Sequence, residues 1–102
     1  MKLISIKPST RQDKKYMAEF CLCNTKQSCC DKKTIVHFGA SGYTDFILSG
    51  GDEERKQRYL SRHRKNENWE DFMTAGSLSR YILWNKPSLN ESIKDYKLRF
   101  NL

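Results

Sequence analysis

The sequence predicts an α+β domain: a small antiparallel sheet of about three strands followed by three helices. Three observations carry this. Apolar and polar residues alternate in short runs near the start of the chain. Two glycine-containing breaks, at residues 39–42 and 49–51, close that region. Beyond them the apolar spacing becomes helical, and cap-type residues stand where helices would begin. At 102 residues the chain is expected to form a single domain, with residues 1–48 β-rich and residues 52–102 helical.

The first strand is expected at residues 3–7. Simple alternation sets Leu3, Ser5 and Lys7 opposite Ile4 and Ile6, and Pro8 ends the strand or confines it to an edge. Residues 15–23 alternate most clearly. Tyr16, Ala18, Phe20 and Leu22 share one face; Met17, Glu19, Cys21 and Cys23 share the other. Residues 34–38 are β-branched and aromatic and supply a third strand. The second and third strands form a hairpin around a polar loop too long for a tight turn. Gly39 and Gly42 suit backbone angles closed to other residues. Residues 43–48 fit neither period.

Asp52, Glu53 and Glu54 place acid where a helix macrodipole favours it, and bases gather toward residue 65. A helix is therefore expected from this acidic start to about Lys65. Residues 66–73 read as a loop containing Trp69. Thr74 suits the N-cap of a helix over residues 75–84, with Ala75, Leu78 and Ile82 on one stripe. Ser88 and Glu91 fit a capping box. The last helix then carries Leu89, Ile93, Tyr96 and Phe100 on one apolar face.

The formal net charge is +7, which in a domain this small favours an anionic partner. No run approaches the roughly 18 apolar residues of a membrane span, and residues 1–8 lack a signal-peptide core. A location inside a cell, or inside a particle assembled there, is expected, with no membrane partner.

The charge is densest in Glu54-Arg-Lys-Gln-Arg-Tyr-Leu-Ser-Arg-His-Arg-Lys65. At 3.6 residues per turn, Arg55, Arg58, Arg62 and Lys65 fall on one helix face. Lys56, Tyr59, Leu60 and His63 lie around another, where Tyr59 and Leu60 pack inward. Arginine suits phosphate because its planar fork donates two parallel hydrogen bonds. Such a face binds nucleic acid through the backbone, which gives affinity without sequence preference. Candidate binding residues are Arg55, Arg58, Arg62, Arg64, Lys65 and Lys86, with Lys94, Lys97 and Arg99 extending the patch if the helices fold back on one another. Asp52, Glu53, Glu54, Glu67, Glu70 and Asp71 flank the same helix, so internal pairing is the competing arrangement.

Tyr81, Trp84 and Trp69 are the aromatic candidates for stacking on bases. Core packing competes for each. His63 reads as a half-buried structural histidine. His37 with Asp45 offers a base and an orienting acid, but no nucleophile stands near either in the sequence. No carboxylate set at metal-binding spacing emerges and the glycine loop lacks a P-loop lysine, so no enzyme activity is expected. Cys21, Cys23, Cys29 and Cys30 form C-x-C-x5-C-C. This set admits structural zinc, disulfides or free thiols. Its spacing departs from paired C-x2-C motifs, so no cofactor is expected.

The segments His37-Phe-Gly-Ala-Ser-Gly-Tyr-Thr-Asp-Phe46, Glu54 to Trp69, Met73-Thr-Ala-Gly76, Leu78-Ser-Arg-Tyr-Ile-Leu-Trp-Asn-Lys-Pro87 and Ser92-Ile-Lys-Asp-Tyr-Lys97 resemble a family of small basic proteins of nucleocytoplasmic large DNA viruses. The resemblance spans about residues 15–102. The insert at residues 21–30 is longer than the hairpin the resemblance leads one to expect. It implies a viral setting, where compact basic proteins coat or condense a genome or serve as structural parts of particles. The expected function is thus non-enzymatic, non-specific binding of nucleic acid, DNA foremost. The alternative is a particle protein that binds acidic viral proteins.

Overall fold

The computed structural model describes residues 2–22 and 32–102. Strand β1 (Lys2–Pro8), β2 (Lys14–Leu22) and β3 (Lys32–Ala40) form one antiparallel meander in the order β1-β2-β3. Helix α1 (Glu53–His63) follows, then α2 (Ala75–Leu78), which continues as a π-helical turn over Ser79–Leu83, then α3 (Leu89–Phe100). The fold is α+β, a three-stranded sheet followed by three helical segments, as the alternation and cap signals predict.

The inner sheet face carries Ala18, Phe20 and Phe38, all fully buried, with Tyr16 and Val36 partly covered. The first strand departs from simple alternation. Leu3 pairs with Phe20 but Ser5 pairs with Glu19, so Ile4 is an extra residue. This bulge rephases the strand. Leu3 and Ile6 both serve the core, while Ile4 is exposed, contrary to the expectation that Ile4 and Ile6 share a face. Cys21 is buried and disulfide-bonded; Cys23, Cys29 and Cys30 lie outside the described residues.

The second helical segment also departs from expectation. It is α-helical only to Leu78. The Trp84 N–H then donates to the Ser79 carbonyl five residues back, at 3.0 Å. The wider turn shifts the helical phase by one residue. It lets Ile82, Leu83, Trp84 and Asn85 all bury in succession. Ala75, expected on the buried stripe, is exposed instead.

This segment packs against β3 on one side and α3 on the other. The apolar face of α3 is as predicted: Tyr96 is fully buried, and Leu89, Ile93 and Phe100 pack against the core. The Tyr96 hydroxyl donates to the Phe72 carbonyl, and the Ser77 hydroxyl donates to the Trp69 carbonyl at 3.0 Å. These bonds fasten the loop of residues 64–74 to the helices. Thr74 and Ser88 both cap as expected, accepting from Ser77 N–H and Glu91 N–H.

Candidate functional site

A cleft of about 890 Å³ opens between α1 and the end of the sheet. Arg55, Arg58 and Arg62 line one wall. Lys14, Lys15 and the turn carrying Tyr43 and Asp45 form the other. Ser79, Leu83 and Trp84 contribute to the floor.

Local chemistry explains how α1 supplies its wall. Asp52 caps the helix by accepting from the Arg55 N–H at 3.2 Å. Glu53 and Glu54 stand in the first turn; Arg62 and His63 stand in the last. Tyr59 is the buried residue of α1, and its ring stacks on Trp84 at 4.6 Å and on His63 at 4.3 Å. Arg55, Arg62 and His63, three or four positions from Tyr59, share its face and line the cleft beside it, with Arg58 at the adjoining edge of that face. The Lys56 ammonium reaches the Asn85 carbonyl at 3.0 Å and lies over the Phe46 ring, which anchors the start of the helix.

The opposite wall depends on Gly39, the penultimate residue of β3, which has a positive φ of 79°. A Cβ there would stand 2.7 Å from a Leu83 methyl carbon. The close approach seats the strand end directly on the cleft floor. Lys15 and Asp45 pair at 2.7 Å, with their side chains 13% and 3% exposed. Asp45 also accepts the Leu48 N–H at 2.8 Å, which folds the turn after Tyr43.

The charges of the cleft are unequal. Five cations line it, Lys14, Lys15, Arg55, Arg58 and Arg62, against two carboxylates, Asp45 and Glu67. Asp45 is occupied by Lys15. Glu67 accepts the Trp69 indole N–H at 2.8 Å and lies 3.3 Å from His63 Nδ1. Arg55 pairs with Asp52 at 3.3 Å, but both groups are well exposed, so the pair is weak. Among the described residues, Lys14, Arg58 and Arg62 have no carboxylate partner within ion-pair distance.

Two more of the flanking acids are engaged locally. Glu53 accepts from Gln57 at 3.0 Å, and Asp71 accepts from the Met73 N–H at 3.2 Å. Among the described residues, Arg55 is the one arginine of the face that pairs with a carboxylate, and it does so with its own cap.

The remaining candidates lie elsewhere. Helix α1 ends at His63, so Arg64 is its cap residue and Lys65 falls in the following turn; neither lines the cleft. Both are exposed. Lys86 is exposed in the turn before α3, also off the cleft. Lys94, Lys97 and Arg99 do not extend the patch into it. Arg99 pairs with Asp95 at 3.4 Å and covers the Tyr81 ring.

Of the aromatic candidates, Trp84 is buried against Tyr59. Trp69 is half-buried and tied to Glu67. Tyr81 packs edge-on to Phe100 between Arg80 and Arg99. The exposed aromatic ring of the cleft is Tyr43, at 73%. Sequence reasoning missed Tyr43, and missed Lys14 and Lys15, because what brings them to α1 is the tertiary fold.

Chemically, the cleft is a predominantly cationic surface that also carries the His63–Glu67 pair. Burial, and then the charge of Glu67, push the Tyr59 phenol far above its ordinary value of 10.0, so it stays neutral. His37 and Asp45 do not form the base and acid considered above: Asp45 is held by Lys15, and His37 Nδ1 lies 2.8 Å from the Ser9 hydroxyl. Among the described residues no cluster of three or more histidine, cysteine or acidic side chains is arranged to hold a metal, and no helix is long and apolar enough to cross a membrane.

Fold and site together define a small α+β domain with a basic cleft between its helical and sheet halves. The chain belongs to the family of unknown function DUF5754, whose family model matches residues 4–63. That span contains the sheet from Ile4 onward, the turn bearing Tyr43 and all of α1, and so both walls of the cleft; α2, the π turn and α3 lie beyond it. No curated protein and no solved structure matches the chain.

Proposed function

We propose that this protein binds nucleic acid without sequence preference, through the cations of the cleft, and performs no catalysis. The observation that carries the reading is that Arg58 and Arg62 have no ion-pair partner among the described residues, while the cleft's two carboxylates, Asp45 and Glu67, are engaged by other side chains. Charged groups that could neutralise each other within the chain remain available to phosphate. The resemblance to proteins of large DNA viruses supports a role in packaging or condensing a genome, within a particle or an infected cell. The test is fluorescence anisotropy with labelled DNA at low salt, comparing the unaltered protein with the Arg58→Glu/Arg62→Glu variant. Binding that is lost in the variant supports the reading. No binding by the unaltered protein to duplex or single strand removes it.

A further inference from the structure

We infer that the ligand of the cleft is a single-stranded polynucleotide, with one base stacked on Tyr43. The inference rests on the proposal that the cleft binds nucleic acid, and specifies which form it binds. Two features point to a single strand. First, the cations stand on both walls of a concavity, Arg58 and Arg62 on α1 and Lys14 across from them. A flexible chain can enter such a cleft with phosphates meeting either wall. A duplex presents a rigid convex backbone to one side only.

Second, Tyr43 is 73% exposed on the cleft wall, and among the described residues no other aromatic ring packs on it. A phenol left in water beside three unpaired cations has the make-up of a stacking platform next to a phosphate track. Duplex bases keep their faces inside the stack and offer nothing to this ring. The two carboxylates of the cleft do not compete, because Lys15 holds Asp45 and Trp69 and His63 hold Glu67.

The experiment uses three labelled probes of about 12 nucleotides, within the range a single-strand site covers: oligothymidine, an abasic strand of equal length, and a mixed-sequence duplex. The unaltered protein should bind oligothymidine more tightly than either of the others. Tyr43→Ala should weaken oligothymidine binding roughly 5- to 150-fold while leaving the abasic strand and the duplex unchanged. Tyr43→Phe, which keeps the ring, should bind like the unaltered protein. Circular dichroism of each variant verifies that the exposed substitution leaves the fold intact. Duplex binding as tight as oligothymidine binding, or no effect of Tyr43→Ala, overturns this inference but leaves nucleic-acid binding standing. Failure of every probe at low salt overturns both.

Discussion

The Tyr59 ring lies on the Trp84 ring at 4.6 Å with an angle of 8° between their planes. This stack joins α1 to the end of the π turn. Tyr59 is the buried residue of α1, so the position of the arginine wall relative to the cleft floor depends on it. Tyr59→Ala should cost about 3–5 kcal/mol, as other truncations of large buried rings do. Tyr59→Phe keeps the stack and should cost no more than about 1.5 kcal/mol. Urea unfolding followed by tryptophan fluorescence measures both. Equal losses in the two variants would show that the hydroxyl, and not the stack, holds the helix.

The Lys15–Asp45 pair makes a second prediction. Both side chains are largely withdrawn from water. Removing one partner leaves an uncompensated charge, so Asp45→Leu should cost about 3–5 kcal/mol. The double variant Lys15→Met/Asp45→Leu should recover much of that loss, because no lone charge remains. A double-mutant cycle by chemical denaturation checks this, and additive losses would refute it.

Gly39 and Gly42 both have positive φ, 79° and 84°, yet their surroundings differ. A Cβ at Gly39 would overlap Leu83, whereas nothing lies within 4 Å of one at Gly42. Gly42→Ala should cost only the backbone strain, about 1–2 kcal/mol. Gly39→Ala should add the cost of overpacking, about 1–3 kcal/mol more. Thermal unfolding of the two variants gives the comparison.

Asp95 provides a pH dependence. Partial burial opposes its ionisation, but the Asn85 amide donating at 2.7 Å and the Arg99 charge together hold its carboxyl below the ordinary 3.8. A depressed folded value means that its contribution is fully present above the unfolded value and is lost as pH falls through the folded one. Asp95→Asn should therefore lower stability near neutral pH. The gap to the unaltered protein should close progressively below about pH 4. A gap that stays constant through the acid range would contradict the assignment.

Much of the fold was legible because local signals agreed with it. The alternation of residues 15–23, the Thr74 and Ser88 caps and the spacing of Leu89, Ile93, Tyr96 and Phe100 each reflect chemistry within a few residues. The exceptions have tertiary causes. Ile4 is displaced by a bulge that suits the pairing of β1 with β2, and the π turn exists to turn consecutive residues into the core. The site was half legible. Arg55, Arg58 and Arg62 share a face by helical spacing alone. Lys65 left that face because the helix stops at His63. The opposing wall, Lys14, Lys15 and Tyr43, was hidden because the sheet meander, not the sequence interval, carries it to α1.

The most direct test is the salt dependence of binding to single-stranded DNA. Each phosphate neutralised on a single strand contributes about −0.7 to the slope of log affinity against log salt. With Lys14, Arg58 and Arg62 engaged, the unaltered protein should give a slope near −2. Arg58→Gln/Arg62→Gln removes two contacts and should flatten it to about −0.7. A slope near zero in the unaltered protein, or an unchanged slope in the variant, would contradict the claim that these unpaired arginines are the phosphate-binding surface.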